Sequence, residues 1–191
     1  MCKASETKIQ LLKLCKELGN CTLTERSYCE CANFLFYTSW LEELLFTDKT
    51  RQCPDNDVQI CADLVGESDI KHGIDLTVFD FFGDYFCDRY IQKNDGMYIA
   101  THHFSQLRLG DKYRDKVKES LVAYKVKKQR DKDLLFAYLM IAYRFRNNMF
   151  HGSKGLINID AYTSQFEIIN KFFFVLLQHI IRSGYKGYNQ K

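Results

Sequence analysis

The segment from Asp131 to Gly152, DKDLLFAYLMIAYRFRNNMFHG, runs twenty-two residues with no proline and with its only glycine at the very end. Leu135, Tyr138, Leu139, Ala142 and Phe145 recur at spacings of three and four, which lines one face of a helix with apolar side chains. Asp131 or Asp133 suits the N-cap, where a carboxylate accepts from unpaired backbone N–H groups, and Gly152 suits the stop. A helix this long with so apolar a face has to be covered by other helices.

The flanking sequence supplies them. Downstream, Tyr162, Phe166, Ile169, Phe173, Leu176 and Ile180 predict a final helix from about Asp160 to Arg182, closed by Gly184. Upstream, Asp111 opens a mixed-charge helix with Tyr113, Val117, Leu121 and Tyr124 inward. Asn94-Asp95-Gly96 is a turn signal, and Met97-Tyr98-Ile99-Ala100 beside it reads as a short strand or a connection. Before the turn, Asp75 caps a helix to about Ile91 with Phe79, Phe82, Phe86 and Tyr90 on one side. Residues 47–54 read as loop and Val58 to Leu64 as a short helix. Thr22-Leu23-Thr24-Glu25 has the form of a capping box for a helix to about Phe46. That helix is apolar nearly all round, with Phe34, Leu35, Phe36, Trp40, Leu41, Leu44 and Leu45, so a central, buried position is expected. A first helix from Ser5 carries Ile9, Leu12, Cys15 and Leu18 and stops at Gly19-Asn20. No stretch alternates with period two long enough to build a sheet. The expected architecture is all-α, a bundle of five to seven helices forming one domain over residues 1–191.

The totals bound function as well. At 46% hydrophobic and 27% charged residues the chain has ordinary globular proportions, which excludes an intrinsically disordered protein. The net charge of +3 is too small to argue for nucleic acid by itself. Its distribution is uneven: Arg108 to Asp133 holds ten Lys/Arg against five Asp/Glu, a local +5 that leaves −2 for the rest. That run is either a solvated helix face or a surface that attracts phosphate. The polar start, MCKASETK, lacks the form of a signal peptide, so a reduced, cytoplasmic setting is expected for the eight cysteines. Cys15, Cys21, Cys29 and Cys31 cluster without any C-x-x-C pair, and neither a metal nor a cofactor is expected. No apolar run approaches the 18 residues of a membrane span.

Chemistry concentrates at the end of the opening segment, in Tyr143-Arg144-Phe145-Arg146-Asn147-Asn148-Met149-Phe150-His151-Gly152. Asn147 and His151 are four apart and share a face, and Arg146, one residue back, can flank it. A guanidinium, an amide and an imidazole thus come together at a helix end. Histidine titrates near neutrality and suits proton transfer to or from a ribose or leaving oxygen. A planar Arg fork matches the oxygens of a phosphorane. The bland alternatives are that Arg146 pairs with an acid on another helix and that His151 bonds a terminal carbonyl. His102-His103 is a tempting pair, but neighbours point apart on a helix, and surface or loop is the expectation; His72 and His179 are isolated.

Arg146-Asn147-Asn148-Met149-Phe150-His151 resembles the R-x4-H signature of the HEPN superfamily, and Phe150 and Gly152 resemble its R-N-x-x-F-H-G form. The resemblance implies a HEPN-like helical domain with the motif just before the final helix. It also implies a metal-independent endoribonuclease acting on single-stranded RNA in a toxin–antitoxin or antiviral defence setting, with a possible antitoxin or defence-system partner protein. Two protomers of a homodimer would join their motifs into one composite site, with Arg146 and His151 catalytic and Asn147 supporting. Arg144, Lys154, Lys127, Lys128 and Arg130 are the candidates for holding RNA. Members paired with a nucleotidyltransferase antitoxin often carry a Tyr two residues past the His, where this chain has Ser153, so that partner class is disfavoured. The competing expectation is a non-catalytic HEPN-like module that binds RNA, a nucleotide or a protein partner.

Overall fold

The computed structural model describes residues 23–45, 76–150 and 156–182, together with Ile9, Gln10, Lys13 and Glu17. It is all-α apart from one small hairpin, with six helices among the described residues. These are α1 (Glu25–Leu45), α2 (Leu76–Tyr90), the hairpin strands β1 (Ile91–Asn94) and β2 (Met97–Ala100), the one-turn α3 (His102–Ser105), α4 (Asp111–Lys127), α5 (Lys132–Phe150) and α6 (Thr163–Arg182). A 3-10 helix (Leu156–Tyr162) leads into α6. The readings of Ser5, Gly19-Asn20, residues 47–54, Val58 to Leu64, Asp75, Gly152 and Gly184 lie outside the described residues.

α1 packs chiefly on α6, α4 lies along α5, and α2 bridges α4 and α6. Two aromatic clusters hold the bundle. Phe34 of α1 meets Phe145 of α5 at 5.9 Å and Phe166 of α6 at 5.3 Å between ring centroids. Phe82 of α2 stacks against Tyr138 at 4.2 Å and Phe172 at 4.9 Å. Each ring is fully buried, and such burial contributes roughly 2–3 kcal/mol per side chain. The inward stripes expected for α2, α4 and α5 are all buried. Gly83 is required by close approach: a Cβ there would fall inside contact with the Tyr138 hydroxyl and 2.7 Å from Cζ of Tyr124.

Four details depart from expectation. α1 is not buried all round: its inward stripe is Ser27, Cys31, Phe34, Thr38 and Leu41, whereas Phe36 is 61% exposed and Trp40 42%. An all-apolar helix sequence does not tell which flank its neighbours leave open. The cap of α1 falls two residues later than the Thr22 box: Thr24 Oγ1 accepts from Ser27 N at 3.1 Å, and Ser27 Oγ accepts from Thr24 N at 2.9 Å. α6 starts at Thr163 rather than Asp160, because the Asp160 carboxylate reaches across to the N-terminus of α1. It accepts there from Thr24 N and Thr24 Oγ1, both at 3.0 Å, and from Ser27 Oγ. Burial pushes the Asp160 carboxyl up, but these donors outweigh it and the net shift is downward. Finally, Asn94-Asp95-Gly96 does build a two-stranded sheet. Its register pairs Ile91 with Ala100, and Asp95 and Gly96 both take positive φ, 47° and 81°, as a two-residue I′ turn demands.

Candidate functional site at the end of helix α5

α5 begins on Asp131, whose Oδ1 accepts from Leu134 N at 2.9 Å. It is buried almost continuously from Leu134 to Ala142 and turns polar only in its last two turns. Arg146 and Asn147 are half-buried there. Arg146 Nη1 donates to Asn147 Oδ1 at 3.1 Å, and its Nη2 lies 3.4 Å from Glu42 Oε1 of α1. The guanidinium and amide that the sequence singled out are therefore joined, and Arg146 also has an acidic partner on another helix. Phe150 ends the helix, and His151 and Lys154 lie outside the described residues.

The opposite side of the same turns carries features that the sequence reading did not use. Asn148 is buried, and its Nδ2 donates to the backbone carbonyl of Gln106 at 3.0 Å, just past α3. The Gln106 side chain in turn contacts both histidines of α3, with Nε2 3.1 Å from His102 Nε2 and Oε1 3.3 Å from His103 Nδ1. One turn before Asn148 on this face stands Arg144. Its Nε is buried with no hydrogen-bond partner, an arrangement that costs free energy until an acceptor arrives. Gln106 had no local signal, since the contact joins residues 42 apart. The His102-His103 pair was visible, but its position beside the motif was not.

The basic run resolves into two kinds of residue. Three acids of α2 spaced by four, Asp80, Asp84 and Asp88, face Arg130, Lys128 and Lys125 in turn. Arg130 binds Asp80 in a two-pronged pair, Nε to Oδ1 at 2.8 Å and Nη2 to Oδ2 at 2.6 Å. Lys128 pairs with Asp84 and sits 4.5 Å over the Tyr124 ring. Lys125 lies 3.0 Å from Asp88 and also donates to Ile91 O. The Tyr124 hydroxyl joins the ladder by donating to Asp80 Oδ1 at 2.9 Å. The hydrogen bond from Arg130 leads the effects that hold the Asp80 carboxyl below its ordinary range, against some desolvation. Lys128 and Arg130, although exposed, are thus paired with acids of the same chain. Lys127, exposed too, instead lines a groove of about 420 Å³ between β2 and α4, with Tyr98, Lys118, Glu119 and Val126.

No group of three His, Cys, Asp or Glu among the described residues is placed to hold a metal ion. Cys29 and Cys31 lie on α1 with one exposed and the other buried, while Cys15 and Cys21 lie outside the described residues. No described helix is long and apolar enough to cross a membrane. Compared with known proteins, the chain matches no family model, no curated protein and no solved structure.

Proposed function

We propose that the protein is a metal-independent endoribonuclease of HEPN type that cleaves single-stranded RNA with Arg146, Asn147 and His151. The observation that carries this reading is Arg144. An apolar helix ends in a turn of arginines and asparagines, and one guanidinium there keeps a buried N–H without an acceptor. A phosphate oxygen is the acceptor that such a donor recruits best. Arg146, half-buried and held by Asn147, stabilises the charge that builds on phosphorus, and Glu42 is the partner it exchanges for RNA. Lys127 and Lys154 contribute general attraction for the phosphate backbone.

Transesterification needs two proton-transfer groups, and the R-x4-H segment carries one histidine. The second comes from a partner copy across a two-fold axis, as the family resemblance implies, or from elsewhere in the same chain. A toxin–antitoxin or antiviral defence role follows from the resemblance alone. The decisive experiment is cleavage of a labelled mixed-sequence RNA in EDTA by wild type beside His151→Ala. The expected result is cleavage to 2′,3′-cyclic phosphate ends that falls about 100-fold or more in the variant.

A non-catalytic module that binds RNA, a nucleotide or a protein partner is favoured by one observation: Arg146 and Asn148 both hold other elements of the bundle, through Glu42 and the Gln106 carbonyl. On that reading His151→Ala alters binding and there is no cleavage to lose.

A further inference from the structure

We infer that the groove between α1 and α6 is a binding site for a primary alkylammonium group, held by Glu30, Asn170 and the rings of Tyr37 and Phe174. The inference is independent of the ribonuclease reading and gives the protein a second ligand.

The groove, of about 460 Å³, lies between a stripe of α1 and the facing stripe of α6. Arg26 and Glu167 close one end, with Arg26 Nε donating to Glu167 Oε1 at 2.7 Å. Glu30 and Asn170 form the middle. Tyr37 and Phe174 face each other at the far end, their ring centroids 6.3 Å apart.

Asn170 lies in the floor and is only 6% exposed. Its Nδ2 donates twice to Glu30, to the backbone oxygen at 2.9 Å and to Oε2 at 2.8 Å. Both partners are acceptors, so the amide nitrogen has to be the atom turned to Glu30. Oδ1 is then the outlying atom, and it is buried with no hydrogen-bond partner. An unmatched acceptor costs free energy until a donor arrives, so the ligand brings an N–H or O–H group.

The capacity left around that oxygen is electron-rich. Arg26 is paired with Glu167, and Lys171, also on the groove, sits 4.8 Å over the Phe81 ring of α2. Among the described residues Glu30 meets no cation, and its carboxylate is engaged by a neutral amide. The Phe174 ring is 48% exposed, and aromatic faces attract a cation within about 6 Å. A carboxylate, an amide oxygen and two rings together select a positively charged donor, and an ammonium has three N–H groups to share among them. The chain as a whole carries +3, so general attraction does not bring a cation here. Oδ1 is itself shielded, so the ammonium engages Glu30 first and reaches the amide as the half-exposed Glu30 and Tyr37 side chains give way. Both lie roughly 120–140° around α1 from Glu42, the residue that meets Arg146, so the ammonium leaves the end of α5 unoccupied.

A free diamine and a lysine side chain present the same group, and the test separates these sources. The full chain is titrated by calorimetry at physiological salt with putrescine, with N-acetyl-lysine amide and with 1,4-butanediol as the uncharged control. At least one ammonium compound is expected to bind with a dissociation constant of about 1 mM or tighter, and the diol not at all. The tighter of the two identifies the source, and it should raise the melting temperature by mass action. Glu30→Gln, which keeps an oxygen to accept from Asn170, should weaken binding by about tenfold or more. Tyr37→Leu should weaken it by about three- to tenfold. Binding unchanged in either variant overturns the assignment, as does a diol that binds as well as the amines. Neither heat nor a rise in melting temperature with about 10 mM of either amine overturns it too.

Discussion

The two polar ends of this bundle use the same residue types to opposite ends. Between α2 and α4, Asp80, Asp84 and Asp88 meet Arg130, Lys128 and Lys125, and Tyr124 fills the space between. At the end of α5, Arg144 keeps an unpaired N–H, Arg146 shares itself between Asn147 and Glu42, and two exposed histidines stand alongside. The first arrangement is complete without a ligand, whereas the second leaves hydrogen-bonding capacity unspent. Basic residues that look equivalent in the sequence are therefore told apart by whether the fold has already provided their anions.

The largest effect expected from this contrast is kinetic. Arg146→Ala should reduce cleavage in EDTA by roughly 10²–10³-fold, the usual loss when a transition-state donor is removed, with little change in melting temperature because a half-exposed pair is worth at most about 1 kcal/mol. Arg130→Ala should leave the rate of the folded protein intact, with a similarly small change in melting temperature, since its pair with Asp80 is also partly exposed. Matched rate losses in the two variants would erase the distinction between the two ends.

Gly83→Ala should damage stability alone. The new Cβ would collide with Tyr138 and Tyr124, and overpacking of this kind costs about 1–3 kcal/mol. In a chain of this length that lowers the melting temperature by roughly 2–12 °C, readable by circular dichroism. A melting temperature equal to wild type would show that the junction of α2, α4 and α5 yields to an added methyl group.

Acid titration sharpens the same point. The Asp80 carboxyl lies below its ordinary value in the folded chain, so its contribution is present above the unfolded pKa of about 3.9 and disappears as pH falls through the lower folded value. Urea midpoints measured downward from pH 5 should therefore fall more steeply for wild type than for Arg130→Ala. Asp160 is lowered too, and it contributes equally to both proteins.

The smallest effects concern RNA affinity at fixed salt. Glu42→Gln should tighten binding about two- to threefold by releasing Arg146, and Lys128→Ala should change it less than twofold. Fluorescence anisotropy with a labelled single-stranded RNA distinguishes them, and the opposite order would mean that the ladder faces the ligand.

How much of this was legible beforehand depends on the range of the interaction. Stripes such as Phe79, Phe82, Phe86 and Tyr90 are written in local spacing, and all four rings are buried as the period requires. The turn at Asp95-Gly96 was equally local, although four residues on either side were too few to announce strands. The exposed flank of α1 was not legible, because Phe36 and Phe34 differ only in what packs against them. At the site, the sequence pointed to Arg146 and Asn147 through their spacing. It had no way to bring Gln106 against Asn148, nor to show that Asp80 and Asp84 claim Arg130 and Lys128. Those pairings join residues about 40 to 50 apart.

The pairing of α1 with α6 also bears on how the chain is made. Arg26 finds Glu167 141 residues later, and Thr24 finds Asp160 136 later. At synthesis rates of roughly 5–20 residues per second, α1 leaves the ribosome about 7–28 s before the helix that covers Phe34 and Leu41 exists. During that interval its apolar stripe lacks the helix that covers most of it, so the nascent chain is an aggregation-prone client until α6 has been made. A circular permutant that places α6 directly before α1 should shorten this exposure and fold faster, since the same contacts would close a far smaller loop.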